Sequence, residues 1–278
     1  MRVFEAILLG VIQGLTEFLP VSSSGHLVLA QTLLGVNNPG VLLEVVLHLG
    51  TLVSVIIVFW QDVAGLIQAT VSLISNPRGR RIPAELRTYR RLVGLLLLGI
   101  IPTALIGIPL EPVFSRLFDS QFTVGIALLA TGAVLYFISR RKFGQRGWRH
   151  MNWWDAMVVG LAQGLAITPG LSRSGMTISA ALSRGLTRQT ATRFSFLISL
   201  PTIGGAAVLQ LRHLFDAAEL QLEIGPLVVG FLAAATSGIL AIKLLVGVLQ
   251  KGKLQYFAYY VWVIGVLTMV GVLTGVVS

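Results

Sequence analysis

The chain has 278 residues, of which 55% are hydrophobic and 12% are charged, and it contains no cysteine. The charged fraction is about half the ~25% of an average soluble domain. Together with a mean hydropathy of +0.84, it excludes a soluble globule and predicts an integral membrane protein. The absence of cysteine excludes disulfide scaffolds, thiol catalysis and cysteine-bound zinc or iron–sulfur sites. A net charge of +10 would be compatible with nucleic-acid binding, so the positions of the charges decide that question.

Two apolar regions, 3–36 and 155–186, are each interrupted near the middle by Pro, Gly and Ser. The pieces on either side of the interruption are too short to cross a bilayer, which needs about 20 residues. Broken backbone at membrane depth requires satisfaction by protein or by a wet cavity, so each region predicts a re-entrant helical hairpin. A signal peptide over residues 1–25 is the alternative for the first region, but two glutamates and a glutamine interrupt its apolar core.

Six further apolar stretches approach or exceed the length of a membrane span. In chain order these predicted spans are 41–60, 92–110, 121–139, 194–211, 226–249 and 255–277. Most of the 21 basic residues lie between them in four clusters, at 78–91, 140–149, 184–193 and 243–253. The alternate loops, 111–120 and 212–225, are mainly acidic. The positive-inside rule places the four clusters in the cytoplasm, so the basic excess is a topology signal and nucleic-acid binding loses its support.

This topology has a consequence for the two hairpins. Both termini are expected on the external side, the first hairpin enters from that side, and the second enters from the cytoplasm. Their broken loops are therefore expected to meet near the middle of the membrane.

An internal repeat appears when the chain is compared with itself at an offset of 150 positions. Gln-Gly-Leu followed by Ser-x-Ser-Gly occurs at residues 13–25 and again at residues 163–175. Chance matching of abundant Gly, Ala and Leu is the alternative, but the polar Gln and Ser positions match too. Each half then holds one hairpin and three spans, and an odd number of spans inserts the second half upside down relative to the first.

The predicted fold is thus an all-α integral membrane protein with an inverted-topology repeat, six transmembrane helices and two re-entrant helical hairpins. We expect a single membrane domain, 1–278, with one repeat over about residues 1–140 and the other over about residues 153–278.

The two interruptions differ in their chemical groups. The first supplies the carboxylate of Glu17 and the imidazole of His26, and the second supplies the guanidinium of Arg173. A charge deep in a membrane costs several kcal/mol and is a functional candidate by default. Arg173 lies among Ser and Gly, where its planar fork is suited to phosphate oxygens; a structural pairing with Glu17 or Glu44 is the alternative. The predicted phosphate-binding residues are Ser22, Ser24, Gly25, Ser172, Arg173, Ser174, Gly175 and Thr177.

Three further pairs of residues belong to this interpretation. Gln13 and Glu17 lie four positions apart on one helical face, where their oxygens would suit Mg²⁺ or Ca²⁺; Glu17 is otherwise an acid/base or only the counter-ion of Arg173. Ser23 and His26 would suit a nucleophile and its base, with His26 itself or a water as alternative nucleophiles. A buried structural histidine is the other interpretation of His26. Glu44 and His48 repeat the four-residue spacing, and they either line the same cavity or pair with each other.

The residues also resemble a known family. GVIQGLTEFLPVSSSGH at 10–26 and PGLSRSGMT at 169–177 are similar to the two signature segments of the undecaprenyl-diphosphatases, the bacitracin-resistance phosphatases. The similarity extends through LEVVLHLGTLVSVIIVFW at 43–60 and RFSFLISLP at 193–201. The family's acidic motif has Glu or Gln first and Glu four positions later, and here the first position is Gln13.

The resemblance implies hydrolysis of undecaprenyl diphosphate to undecaprenyl phosphate, a lipid carrier for cell-wall polymer synthesis, in the bacterial plasma membrane. It also implies a divalent metal, a polyprenyl diphosphate substrate and an active site on the external side. The expected catalytic residues are Glu17, Ser23, His26 and Arg173, with Gln13 beside Glu17 at the metal. A transporter or flippase for an anionic or lipid-phosphate substrate is the alternative, because inverted repeats with discontinuous helices are common in secondary carriers.

Overall fold

The computed structural model describes residues 2–36, 41–79, 81–118, 120–142, 144–216 and 224–275. Within these ranges the chain folds into α-helices joined by short loops. They are α1 (Val3–Phe18), α2 (Ser23–Leu34), α3 (Val41–Val58), α4 (Trp60–Ser75), α5 (Ala84–Phe118), α6 (Gln121–Ser139), α7 (Trp153–Leu165), α8 (Arg173–Ser183), α9 (Arg188–Asp216), α10 (Ile224–Gln250) and α11 (Gln255–Leu273). One 3₁₀ turn, Trp148–His150, precedes α7. The all-α prediction is confirmed.

Five of these helices are long and apolar enough to cross a membrane: α5, α6, α9, α10 and α11. Each contains one of the predicted spans, except that the prediction for the last span continues to residue 277 and so ends outside the described residues. The remaining predicted span, 41–60, corresponds to α3. This helix turns by 90° into α4, and the two qualify as a span only as a bent pair. The protein is therefore a multi-pass membrane protein, and the described part of the chain holds five candidate spans, or six when the bent pair is counted as one.

The sequence interpretation missed α4 and treated residues 78–91 as a loop. The prediction of a loop is wrong for the end of this segment, because α5 begins at Ala84 and carries the last three arginines of the cluster on its first turns. In α4, Asp62 and Ala69 are buried, whereas Ile67, Val71 and Ile74 are exposed. Apolar residues at this i, i+4, i+7 spacing are the signal of an amphipathic helix, and they would have revealed α4.

Both predicted interruptions occur where the sequence places them. The first separates α1 from α2 at 19–22, and the second separates α7 from α8 at 166–172. In each case a serine starts the following helix, since Ser22 accepts from the Gly25 N–H and Ser172 accepts from the Gly175 N–H. Such capping satisfies one of the amides that a helix start leaves unpaired. Ser22 also has a φ of 70°, a left-handed conformation that costs a non-glycine residue about 1–3 kcal/mol and clusters at functional sites.

Glycines allow the first helix of each hairpin to pack closely against a long helix of the other half. α1 packs along α10 and α7 packs along α5. A Cβ atom at Gly10 would collide with the backbone oxygen of Gly230, and one at Gly160 would collide with that of Gly99. Beside the end of α1, Phe18 is fully buried and packs edge-on against Phe196 of α9 with ring centroids 5.3 Å apart. These contacts hold the residue before it, Glu17, in place.

Candidate active site

The two helix interruptions meet inside the molecule. Arg173, the first residue of α8, donates from Nη2 to Oε1 of Glu17 over 2.5 Å. Ser174 Oγ donates to the backbone oxygen of Leu19 over 3.1 Å, which ties the second interruption to the first. Groups 156 residues apart in the chain thus form one buried polar site at the starts of α2 and α8.

Glu17 lies at the centre of this site, with its side chain 6% exposed. Its Oε2 accepts from Ser23 Oγ over 2.6 Å and from Gln13 Nε2 over 2.9 Å, while Oε1 accepts from Arg173. Only an ionised carboxylate is acceptor-only at both oxygens. The three donors therefore hold Glu17 as an anion, with the Ser23 hydroxyl directed at it.

Arg173 is only partly used by this pairing. Its Nη1 is buried and has no hydrogen-bond partner among the described residues. An unpaired buried guanidinium nitrogen is costly, and it is expected where a ligand completes the site. The helix that Arg173 begins also directs its positive dipole end here, as does α2 from Ser23. Both features favour an anion beside Arg173.

Several of the other residues predicted to bind phosphate are already engaged within the protein. Ser22 and Ser172 cap their helices and thereby occupy the Gly25 and Gly175 amides. Ser24 Oγ lies 3.3 Å from Ser22 Oγ. Ser174 is bonded to Leu19, and Thr177 Oγ1 donates to the Arg173 backbone oxygen over 2.8 Å. In this arrangement they shape the two interruptions, and a direct bond to phosphate would require them to give up these partners.

His26 is held away from Ser23 by two other bonds. Its Nδ1 lies 2.8 Å from the backbone oxygen of Ser22, which can only accept, so Nδ1 carries the proton and Nε2 accepts from Tyr260 Oη over 2.9 Å. The two rings are stacked at 5.6 Å. Sequence reasoning missed Tyr260, because a tyrosine in a span is equally typical of an interfacial aromatic residue.

His48 of α3 completes the surroundings of Glu17, with Nε2 3.8 Å from Oε2. Glu44 does not contact Glu17: its carboxylate accepts from Gln31 over 3.2 Å, and its backbone oxygen accepts from His48 Nδ1 over 2.7 Å. His48 thus lies beside Glu17, whereas the carboxylate of Glu44 is bonded to Gln31.

The residues around Glu17 are compatible with a divalent cation. No group of three or more His, Asp or Glu side chains suited to a metal exists within the described ranges. However, Gln13 Oε1 is buried and has no hydrogen-bond partner there. Because Gln13 uses its Nε2 on the Glu17 carboxylate, this free oxygen lies close to the same charge. A carboxylate beside an unpaired amide oxygen is the kind of ligand set that hard cations take.

The fold and site define a class of protein: an all-helical, multi-pass membrane protein with a charged site where two interrupted helical hairpins meet. The model of the bacitracin resistance protein BacA family matches residues 6–267, and the chain belongs to this family.

Its curated relatives match over nearly their whole length. The undecaprenyl-diphosphatase of Carboxydothermus hydrogenoformans is 44% identical over 272 residues, which cover 97% of each chain. That of Halothermothrix orenii is 45% identical, covering 97% of this chain and 98% of the relative. The undecaprenyl-diphosphatase of Methanosphaera stadtmanae is 41% identical, covering 96% and 97%. The resemblance deduced from the two signature segments is thereby confirmed.

Proposed function

We propose that this chain is an enzyme that hydrolyses undecaprenyl diphosphate to undecaprenyl phosphate and inorganic phosphate at the site around Glu17. The relatives that match it over nearly their whole length carry the name of this activity, and the family is one of bacitracin resistance proteins. The product is the lipid carrier reused in cell-wall polymer synthesis, and its regeneration is the activity that confers the resistance.

One observation carries this assignment to the site: a hydroxyl bonded to an ionised carboxylate faces an arginine with a free nitrogen. Ser23 Oγ donates to Glu17 over 2.6 Å, and Arg173 Nη1 is buried without a partner among the described residues. A nucleophile, a base and an anion-binding fork are the groups that phosphoryl transfer needs. These three groups are needed for phosphoryl transfer irrespective of how the lipid chain binds or how the product is used. The roles of the site residues can therefore be tested separately from both.

In the first step Ser23 Oγ attacks the terminal phosphorus and passes its proton to Glu17. The bond from that phosphorus to the bridging oxygen breaks, and undecaprenyl phosphate leaves with the bond's electron pair. Arg173 Nη1 holds the terminal phosphate oxygens in line, and the starts of α2 and α8 stabilise the charge that develops on them. The geometry favours Glu17 over His26 as the base, because His26 is bonded to Ser22 and Tyr260.

In the second step a water attacks the phosphorus of phosphorylated Ser23. Glu17, which has given its first proton to the departing undecaprenyl phosphate, takes a proton from this water and returns it to the serine oxygen as the serine–phosphorus bond breaks and inorganic phosphate departs. A divalent cation bound by Glu17 and Gln13 would neutralise charge on the bridging region. Two oxygen ligands suit Mg²⁺ or Ca²⁺. Gln13→Glu adds a negative charge there and should lower the metal concentration for half-maximal phosphate release, whereas an unchanged midpoint would remove Gln13 from the cation site.

Phosphate release from undecaprenyl diphosphate by the purified protein in detergent tests the function. We expect turnover by the native chain, its loss in Ser23→Ala and its retention in the control Ser183→Ala, which removes an exposed hydroxyl bonded only to its own helix. A transporter or flippase would release no phosphate in this assay, because a detergent solution has no two compartments between which a substrate could move. A well-folded native protein without phosphate release would therefore favour that alternative. Full release by Ser23→Ala would instead assign the attack to water or His26.

An inverted repeat and an outward-facing site belong to the same proposal. The packing of α1 against α10 and of α7 against α5 supports the repeat. In each pair, the first helix of one half packs against the corresponding long helix of the other half. The basic clusters also touch one another in a chain of contacts: Arg91 donates to the Arg149 backbone oxygen, Arg146 to that of Arg184 and Arg188 to that of Gln250. Clusters that touch lie on one side of the membrane, which the positive-inside rule makes the cytoplasm.

Single cysteines in this cysteine-free chain test the orientation. With both termini and the site external, Glu111→Cys should react with an impermeant reagent in intact cells. Arg78→Cys, at an equally exposed position of the opposite set, should react only after lysis. The reverse pattern would invert the proposed topology without affecting the proposed reaction.

A further inference from the structure

We propose that His48 binds, through Nε2, the divalent cation held by Glu17 and Gln13. This inference rests on the proposed function and adds a nitrogen ligand to its cation site.

The protonation of the His48 ring follows from its neighbour on the helix. Nδ1 lies 2.7 Å from the backbone oxygen of Glu44. A carbonyl oxygen can only accept, so Nδ1 carries the proton, and Nε2 of the neutral ring presents a lone pair. A histidine ligand is typically held in this way, with the distal nitrogen bonded to a backbone oxygen or carboxylate that fixes the ring and its tautomer.

The neighbour of Nε2 at this site is another acceptor, Glu17 Oε2. The two atoms are 3.8 Å apart, which is too long for a hydrogen bond, and Oε2 already accepts from Ser23 and Gln13. Two ligands that each lie about 2.1 Å from one ion are separated by about 3.0 Å at a right angle and about 4.2 Å when opposite. A spacing of 3.8 Å falls inside this interval, so one ion can bind both atoms with little movement.

Gln13 supplies a third group at the same place. Its Nε2 is fixed on Glu17 Oε2, and its Oε1 is buried with no partner in the described part of the chain. Near Glu17 Oε2 there are thus one imidazole nitrogen, at 3.8 Å, and one amide, which presents its oxygen to a cation after a half-turn about its last side-chain bond. Each has a lone pair to offer, and a buried cation would satisfy all three.

The imidazole changes which ion is expected. Mg²⁺ and Ca²⁺ take oxygen ligands, whereas imidazole suits later first-row ions, whose affinity for mixed nitrogen and oxygen sites also rises from Mn²⁺ to Co²⁺. We therefore expect the site to bind Co²⁺ or Zn²⁺ more tightly than Mg²⁺ or Ca²⁺. The alternative is that His48 is protonated on both nitrogens and forms only an ion pair with Glu17, and this alternative requires no metal contact.

Co²⁺ binding to the purified full chain in detergent distinguishes ligation of the ion by His48 from an ion pair between His48 and Glu17. Ligation through Nε2 leaves the Nδ1–H in place, so the bound paramagnetic ion should produce a strongly shifted, solvent-exchangeable N–H proton signal. We expect this signal in the native protein and in His150→Gln, a matched change of an exposed histidine, and its loss in His48→Gln. The Co²⁺ Kd should rise about tenfold or more in His48→Gln, while the Ca²⁺ Kd should change by about threefold or less because Ca²⁺ takes oxygen ligands.

A second variant keeps the test decisive if His48→Gln does not fold. His48→Glu replaces the nitrogen ligand by a carboxylate, so it should bind Co²⁺ without the shifted N–H signal. A native protein that lacks the signal, or a folded His48 variant that keeps it, would overturn the proposal. Phosphate release measured on the same native sample separates this result from the fate of the proposed function: release without the signal refutes only the role of His48, and absence of release refutes the enzymatic assignment.

Discussion

Three carboxylates are buried against arginine in the described part of the chain, Glu17, Asp62 and Asp155. Of these, Glu17 and Asp155 differ in how completely their partners are satisfied. Asp155, at the start of α7, is fully buried. Arg146 donates to both of its oxygens, over 3.2 and 2.6 Å, while Arg184 Nε donates to Oδ1 and the Asn152 N–H to Oδ2. Glu17 is almost as deeply buried and has four polar neighbours, Gln13, Ser23, His48 and Arg173. Two of these retain a buried polar atom without a partner among the described residues.

The difference matches the roles proposed for the two sites, a structural ion pair at Asp155 and a reactive one at Glu17. Arg146 also donates to the backbone oxygens of Arg184 and His150, so it connects the loop before α7 to the end of α8. Around Glu17, Arg173 Nη1 and Gln13 Oε1 remain unpaired within the described residues. Buried polar groups are normally paired. These two atoms lie beside Glu17, where the proposed phosphate and cation would bind.

The largest expected effect comes from removing the charge of Glu17. Glu17→Gln should lower kcat for phosphate release about 10³-fold, because a general base contributes up to about 10⁴-fold. The amide can still accept from Arg173 but no longer neutralises it, so a moderate fall in the thermal unfolding midpoint is expected, as for Asp155→Asn, and kcat is compared per folded molecule. Comparing phosphate release with thermal unfolding in detergent checks both parts. An active but strongly destabilised Glu17→Gln would make Glu17 equivalent to Asp155, a structural counter-ion.

The next effect concerns the geometry of Arg173. Arg173→Lys keeps the charge but lacks the second fork nitrogen, so one amine would have to serve both Glu17 and phosphate. We expect kcat to fall about 10²-fold, the loss typical of one electrostatic donor at a transition state. The matched change Arg184→Lys, at the Asp155 pair, should leave kcat unchanged. Near-normal turnover by a folded Arg173→Lys would show that a point charge suffices.

Removing the charge of Asp155 should affect stability rather than turnover. Asp155→Asn leaves Arg146 and Arg184 without their counter-ion, and breaking a fully buried pair costs about 3–5 kcal/mol. Because these arginines are 33% and 38% exposed, solvent offsets part of the loss, and about 2 kcal/mol is expected. Denaturant unfolding gives the stability, and kcat per folded molecule should stay within about twofold. A folded, stable variant without activity would instead place Asp155 in the reaction.

The smallest effect is expected at Tyr260, which donates to His26 Nε2. Tyr260→Phe removes one hydrogen bond worth about 1 kcal/mol. Because His26 lies one turn after Ser23 on α2, a looser His26 should disturb the position of Ser23, and we expect kcat/KM to fall by at most about fivefold. Tyr259→Phe, on the same helix and outside this contact, is the control. Equal effects of the two variants would indicate only a packing role for α11 at this position.

Much of the architecture was predictable because it depends on local properties. Five long helices carry predicted spans, and the interruptions at Pro20 and Pro169 occur where proline and glycine disfavour a continuing helix. The amphipathic α4 was missed because polar residues interrupt its apolar ones, so it contains no continuous apolar stretch as long as a membrane span. For the site, a charge in an apolar segment identified Glu17 and Arg173 by itself, since such charges are rare unless they have a function.

The partners of these residues were not predictable, because they depend on contacts between distant segments. Spacing along one helix suggests that Gln13 and Glu17 are neighbours, but it does not show that Ser23 is bonded to Glu17 rather than to His26. Tyr260 lies 234 residues from His26, and nothing in the pattern of α11 distinguishes it from Tyr259. The same holds for His48, whose approach to Glu17 results from the packing of α3 against α1.

The sequence by itself thus determined that the protein lies in a membrane, where its long apolar helices and their interruptions fall, and its family, because hydropathy, helix periodicity and motif spacing are properties of the linear sequence. Only the tertiary structure decided which buried polar groups are paired and which remain free. Pairing depends on distances of a few ångströms between side chains from different helices, and these distances are set by close packing, such as that of Gly10 against α10 and Gly160 against α5. That packing brings Arg173 to Glu17 and leaves one of its nitrogens available for a phosphate.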